Sequence, residues 1–246
     1  MGEDGLIKPI SGLSVVVPVF DEEDNVAPLA AEIDAVLAGL QLPTELIFVD
    51  DGSRDSTRRQ LRDVIARHRN VRLVALARNQ GQSAALLAGV RAARMSHVVT
   101  LDGDLQSDPT DLPLLLEQAR SHDVVIGRRV ERRDSLARRL AGRVANRVRR
   151  AVLGDGASDS GCSLKLFPTS AFLELPRFDG MHRFLPALFR DQGLGVHEVD
   201  VKHRERRAGR SKYTNLARLS RTLVDLFGVW WLSKRAIRGD ADGDTA

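Results

Sequence analysis

Short apolar runs alternate with stretches of helical period along the first half of the chain. Residues 13–19, LSVVVPV, form a β-branched run that reads as a strand buried on both faces. Val26, Leu29, Ile33, Val36, Leu37 and Leu40 then recur at helical spacing, and the acidic DEEDN before them (21–25) opens that helix at its positive end. Further strands are expected at ELIFVDD (45–51), VRLVAL (71–76), HVVTLDGD (97–104) and DVVIG (123–127). Between them lie helices at Ser56–His68, GQSAALLAGVRAA (81–93) and Leu112–Arg120. Such alternation predicts an α/β fold around a parallel sheet with right-handed crossovers.

After Gly127 the pattern changes. An arginine-rich helical stretch leads into the glycine-bearing LGDGASDSGCSLKLF (153–167), and a short helix-rich piece follows. GVHEVDVKHRERRAGRSKY (195–213) reads as a strand running into a basic loop, and residues 214–236 as one more helix. The expected organisation is a single unit over 1–213, with halves at 12–127 and 128–213, then that helix and a disordered tail at 237–246. No internal repeat occurs.

Composition narrows the class of protein. With 246 residues, 43% of them hydrophobic, the chain can build a sizeable core. A formal net charge of +4 conceals an uneven layout: ten arginines between Arg128 and Arg150 face only Glu131 and Asp134. A second basic stretch runs from Lys202 to Arg221. These clusters suit nucleic acid, anionic lipid or a phosphorylated substrate, although most single arginines in them read as solvated helix face. Cys162 is the one cysteine, which excludes an internal disulfide and fits a reducing compartment. No uncharged run reaches the ~18 residues of a transmembrane helix and no signal-peptide pattern opens the chain, so a soluble or peripheral protein is expected.

In open parallel sheets, ligands bind beyond the carboxyl ends of the strands. Three polar clusters fall at such ends: PVFDEEDN (18–25), VDDGSRDST (49–57) and DGDLQ (102–106). Asp50 and Asp51 can accept from a base edge or ribose hydroxyls, and Gly52 allows a tight turn. Ser53 or Asp55 equally suits a helix N-cap. Asp102 and Asp104 can converge on one divalent ion if the chain kinks at Gly103, with Gln106 adding a neutral oxygen; Mg²⁺ and Mn²⁺ favour such donors together with substrate phosphates. No P-loop lysine signature, G-x-G-x-x-G, H-E-x-x-H or G-x-S-x-G occurs.

Eight segments in order complete the picture: VVPVFDEEDNV, FVDDGSRDST, RNQGQSAALLAG, LDGDLQSDP, VVIGRR, SDSGCSLKLF, GMHRFLPAL and HRERRAGRSKY. Together they resemble family 2 glycosyltransferases of the GT-A fold, in the branch of dolichol-phosphate mannosyltransferases and bacterial polyprenyl-phosphate glycosyltransferases. The resemblance spans roughly residues 12–213. It implies a Rossmann-like, mostly parallel sheet flanked by helices. It also implies metal-dependent, inverting transfer of one sugar from a nucleotide-sugar, GDP-mannose or a UDP-hexose, to a polyprenyl phosphate.

By the same resemblance Pro18, Glu22, Asp50, Asp51 and Asp102 would hold the nucleotide. Asp102, Asp104 and Gln106 would hold Mg²⁺ or Mn²⁺. Arg129, Arg138, Arg206 and Lys212 would contact the acceptor phosphate or the donor diphosphate, and Asp159 would be an active-site carboxylate. Two positions depart from the pattern: Arg128 replaces a small residue, and Gly142 stands where some members have serine.

The helix at 214–236 carries Leu216, Leu219, Leu223, Leu226, Phe227 and Trp230 at helical spacing, flanked by Arg218, Arg221, Lys234 and Arg235. It is expected in the membrane interface, with Trp230 and Trp231 at headgroup depth, which would put the protein peripherally at the cytoplasmic membrane face. Core packing or a homodimer contact is the other reading of that stripe. A saccharide or other cell-envelope acceptor is the enzymatic alternative, though the Q-x-x-R-W of processive synthases is missing. A non-catalytic basic module for nucleic acid is opposed by the acidic strand ends and by only 4% aromatic residues, so no nucleic-acid partner is expected.

Overall fold

The computed structural model describes residues 9–68, 70–130, 146–205 and 215–235, the last stretch with side chains from Leu223 onward. The first half alternates β1 (Leu13–Val19), α1 (Val26–Leu37), β2 (Thr44–Asp50), α2 (Thr57–Arg67), β3 (Val71–Ala75), α3 (Gln82–Ala92) and β4 (His97–Thr100). A 3-10 turn at Pro109–Asp111 leads into α4 (Leu112–Gln118) and β5 (Val124–Arg129). Beyond it come α5 (residues 146–153), β6 (Lys165–Pro168), α6 (Thr169–Glu174), a 3-10 turn at Met181–Arg183, α7 (Leu185–Asp191), β7 (Val196–Val201) and α8 (Asn215–Arg235).

Among the described residues these strands form one seven-stranded sheet, ordered β3-β2-β1-β4-β6-β5-β7. All neighbours pair in parallel except β6, which runs antiparallel to both β4 and β5. Strand period two explains why both faces are apolar. Val15, Val17, Leu46, Phe48, Val99 and Val125 point into one core beneath α1, α2 and α4. Val16, Ile47, Val49, Val98, Val124 and Ile126 point into the other, with α3, α6 and α7. Gly89 of α3 lies against Val16 and Val49 so closely that a Cβ there would collide with both.

The expected mostly parallel α/β sheet is therefore what forms, with differences of detail. β4 ends at Thr100, so residues 101–106 are a loop, as their aspartates and glycine favour. DEEDN precedes α1 as a turn, and Leu40 packs on the core from beyond the helix end. The N-cap of α2 is Ser56, which makes no side-chain cap bond, rather than Asp55 or Ser53: Asp55 accepts from the Thr57 amide at 2.9 Å one residue earlier, and Ser53 accepts from the Asp21 amide at 3.0 Å and joins two loops. On α8, Leu226 and Val229 are buried in the second core, while Leu223, Val224, Phe227, Trp230, Trp231 and Leu232 are exposed. From Leu223 onward one stripe of that helix packs on the domain and the opposite stripe faces outward; Leu216, Arg218, Leu219 and Arg221 lie outside the described side chains.

At the opposite end of the sheet from the predicted site, Glu45 is buried in β2. Its carboxylate accepts from the Ser14 hydroxyl at 2.7 Å, the Arg94 amide at 2.7 Å and Arg72 Nη1 at 2.8 Å. Burial pushes the Glu45 carboxyl up, but those donors outweigh it and hold it below its ordinary range.

Candidate active site

The carboxyl ends of β1, β2 and β4 share one edge of the sheet, and the loops leaving them interlock. The Asp51 amide donates to the Val19 carbonyl at 2.9 Å, and the Glu22 amide to Thr57 Oγ1 at 2.8 Å. Glu22 Oε2 also accepts from Asn25 Nδ2 at 2.6 Å. Gly52, at φ +73°, is required here: a Cβ would sit 2.5 Å from the Arg78 carbonyl carbon and from the Asn79 amide nitrogen.

Asp50 is fully buried, with Oδ1 accepting from the Ser53 amide at 2.8 Å and Oδ2 from Arg58 Nε at 2.5 Å. Asp51 Oδ1 accepts from the Gln80 amide at 2.8 Å, and Oδ2 from the Gly81 amide and Asn79 Nδ2, both at 2.9 Å. Burial, with neighbouring Asp50, raises the Asp51 carboxyl despite these amides. Both carboxylates thus stand at the expected edge, where they fasten the loops that follow β2 and β3.

The segment after β4 carries Asp102, Asp104 and Gln106. Gly103 lets it pass close over β1; a Cβ there would lie 2.6 Å from Val19 Cγ1 and 3.2 Å from the Pro18 carbonyl oxygen. Asp102 Oδ1 accepts from Gln82 Nε2 of α3 at 2.9 Å, and its amide donates to Ser163 Oγ at 3.2 Å. The Gln106 amide donates to Asp104 Oδ1 at 3.2 Å. Burial and then the Asp104 charge push the Asp102 carboxyl up to about 6, with Lys165, Ser163 and Arg129 opposing. Two crowded carboxylates are hard oxygen donors of the kind that suits Mg²⁺ or Mn²⁺. Among the described residues no group of three or more acidic, histidine or cysteine side chains comes together as a metal-ligand set.

Cationic groups complete the edge. Arg129, at the end of β5, grips Asp159 through Nε at 2.7 Å and Nη2 at 2.8 Å, a fork-on-fork pair. Gly161 leaves room for it; a Cβ there would be 3.2 Å from Arg129 Nη2. Glu198 of β7 holds the Asp159 turn, accepting from the Ser158 amide at 2.8 Å, Ser158 Oγ at 2.7 Å and the Asp159 amide at 3.1 Å. Lys165, buried at the start of β6, donates to the Cys162 carbonyl, and burial lowers its ammonium despite nearby Asp102 and Asp159.

Sequence reasoning did not single out Lys165, Glu198, Ser163 or Gln82; a lone lysine inside the apolar LKLF was the available signal. Arg128 turns away to an exposed pair with Asp200 at 2.6 Å. Arg138, Gly142, Arg206 and Lys212 lie outside the described residues.

Comparison with known proteins identifies the family and the fold. Residues 14–175 match the family model described as Glycosyl transferase family 2. The dodecaprenyl-phosphate galacturonate synthase of Rhizobium johnstonii is 37% identical over 232 residues, covering 92% of this chain and 68% of that protein. An undecaprenyl-phosphate 4-deoxy-4-formamido-L-arabinose transferase of Pectobacterium atrosepticum is 35% identical over 223 residues, covering 90% of this chain and 68% of its own length. Among solved structures, glucosyl-3-phosphoglycerate synthase from Mycobacterium tuberculosis, with Mn²⁺, UDP and phosphoglyceric acid, superposes at a TM-score of 0.69. It is 20% identical, and the match covers 95% of this chain and 82% of that one, a likeness of fold.

Proposed function

The chain belongs to glycosyl transferase family 2, and from that premise we propose that this glycosyltransferase moves one sugar from a nucleotide-sugar to a polyprenyl phosphate with inversion. The observation that carries the reading is the meeting of Asp102 and Asp104 with the Arg129–Asp159 pair at one sheet edge. The names of the similar enzymes, which specify dodecaprenyl and undecaprenyl phosphate, supply the acceptor class.

In this reading the loops of Pro18, Glu22, Asp50 and Asp51 frame the nucleoside, with the two aspartates setting loop shape. Asp102, Asp104 and Gln106 would hold a divalent ion, which when bound supplies charge neutralisation for the departing diphosphate. Asp159 aims the Arg129 guanidinium. Nε and Nη2 are committed to Asp159, and Nη1, with no partner among the described residues, is assigned to a phosphate oxygen. Arg138, Arg206 and Lys212 are assigned to the same anionic clamp. The acceptor needs no strong general base, because a phosphate monoester with a second pKa of about 6 is largely ionised near neutrality. Its oxygen forms the bond to the anomeric carbon as the bond to the nucleoside diphosphate breaks, and the electron pair leaves on the diphosphate.

The outward stripe of α8 supports a peripheral membrane site, which we assign to the cytoplasmic face. Val224 is 71% and Phe227 63% exposed, and the Arg235 guanidinium lies 5.2 Å from the Trp231 ring centre. An interfacial helix has this composition. No helix among the described residues is long and apolar enough to cross a membrane.

The test is transfer of radiolabelled sugar into organic-extractable lipid, with undecaprenyl phosphate, Mn²⁺ or Mg²⁺, and GDP-mannose compared with UDP-hexoses. Label from one donor, lost without metal and in Asp104→Ala, is expected. Label only on an added saccharide overturns the acceptor assignment.

A further inference from the structure

Leu105, between the two carboxylates and Gln106, is a buried non-glycine residue at φ +61°. Left-handed backbone of this kind strains a residue with a Cβ and persists only where the surroundings over-determine it. The restraint comes from the three residues that follow β7. The Arg204 amide donates to the Gln106 carbonyl at 2.8 Å, Ser107 and His203 form an antiparallel bridge, and the Lys202 amide donates to Asp111 Oδ2 at 2.8 Å. One of these residues also acts through its side chain. Arg204 Nη2 lies 2.7 Å from Asp108 Oδ1, and Nη1 donates to Glu32 Oε2 of α1 at 2.5 Å. Asp108 Oδ1 is in turn the acceptor for the Thr110 amide at 3.0 Å and Thr110 Oγ1 at 2.7 Å, the cap of the 3-10 turn.

We propose that Arg204 is a positioning residue for the Asp102–Gln106 loop. Its guanidinium ties Asp108 to Glu32, so the loop is pinned to α1 on one side and to the end of β7 on the other, with Leu105 kept left-handed between them. It touches neither substrate nor metal in this scheme. Its effect reaches the site through the placement of Asp104 and Gln106, which lie two to four residues before Asp108. The inference rests on the nucleotide-and-metal reading of that loop. The composition of HRERRAG does not single out Arg204; its two carboxylate partners do.

The experiment measures binding of Mn²⁺ with UDP and with GDP by calorimetry and by Mn²⁺ electron paramagnetic resonance. Wild type, Arg204→Ala, Arg204→Lys and Glu32→Gln are compared, with melting temperature and kcat/KM recorded for each. Arg204→Ala is expected to weaken binding of the metal–nucleotide pair about tenfold, equivalent to roughly 1.4 kcal/mol. Arg204→Lys recovers part of it, since a single ammonium reaches one carboxylate but cannot bridge two. Glu32→Gln, which leaves the Asp108 contact in place, loses about threefold.

Binding by Arg204→Ala within about twofold of wild type, whatever its melting temperature, overturns the proposal. Should Arg204→Ala fail to fold, Glu32→Gln decides by the same measure: a threefold loss supports the positioning role and unchanged binding refutes it. Wild type that binds Mn²⁺ with neither nucleotide overturns the underlying reading of the loop instead.

Discussion

Replacing Glu45 by alanine separates stability from the chemistry of the site, because the Glu45 network lies at the other end of β2 from Asp50. The substitution strands the buried Ser14 hydroxyl, the Arg94 amide and one face of the Arg72 guanidinium. Hydrogen bonds to a charged acceptor contribute about 1.5–3 kcal/mol each. Arg72 is 32% exposed and keeps its bond to the Ala92 carbonyl at 2.8 Å, so water recovers part of its share. The expected cost is therefore about 3–5 kcal/mol, within the range for a broken buried pair. For a chain of this size that is a fall in Tm on the order of 10 °C.

Glu45→Gln keeps an oxygen for Ser14 and Arg94 but not the charge, and should cost about 1–2 kcal/mol. The pH dependence has a definite sign. A carboxylate held below its unfolded value of 4.5 contributes stability that is complete above that value and lost as pH falls through the lower folded one. Wild type should therefore lose its advantage over Glu45→Gln in that acid window. Thermal melts from pH 3 to 7, with turnover per folded molecule at a low temperature, test this. A Tm for Glu45→Ala within about 2 °C of wild type, or an advantage that persists undiminished in acid, refutes the argument.

Other consequences follow from the site and its surroundings. Asp159→Asn removes the charge that aims Arg129, and kcat/KM should fall about 100-fold with the fold retained by circular dichroism; a loss of only a few-fold would contradict the clamp. Gly52→Ala forces a Cβ against the Arg78–Asn79 backbone at positive φ and should lower stability by about 2–3 kcal/mol in urea unfolding. The pair Phe227→Ser and Trp231→Ser should weaken sedimentation with anionic vesicles about tenfold at unchanged Tm, whereas Val229→Ser should lower Tm instead; equal vesicle binding by all three would rule out the interfacial role of α8.

Legibility in the sequence tracks how local each cause is. β1 and β2 are visible because continuous apolar runs, VVVPV and LIFV, fill their centres, the mark of strands covered on both sides. β6 escaped because it is four residues long, begins with a lysine and follows a run of glycine and serine. Asp50 and Asp51 announce themselves as acceptors, but their partners, Arg58 and the amides of Gln80 and Gly81, are set by how neighbouring loops stack, which no spacing encodes. Glu198 reads as one polar position in an alternating strand; its service to Ser158 and Asp159 follows from β7 lying next to β5.

The reversed strand has a consequence for how the protein is made. β4 emerges from the ribosome with β1 already available on one side, but its other edge is covered only by the segment from Lys165 to Pro168. Translation proceeds at ~5–20 residues per second, so roughly 3–13 s pass between Thr100 and Lys165. During that interval the nascent chain presents Val98 and Val99 on an open strand edge, the kind of template on which chains misassemble. Only the arrival of β6, antiparallel to both β4 and β5, closes that seam.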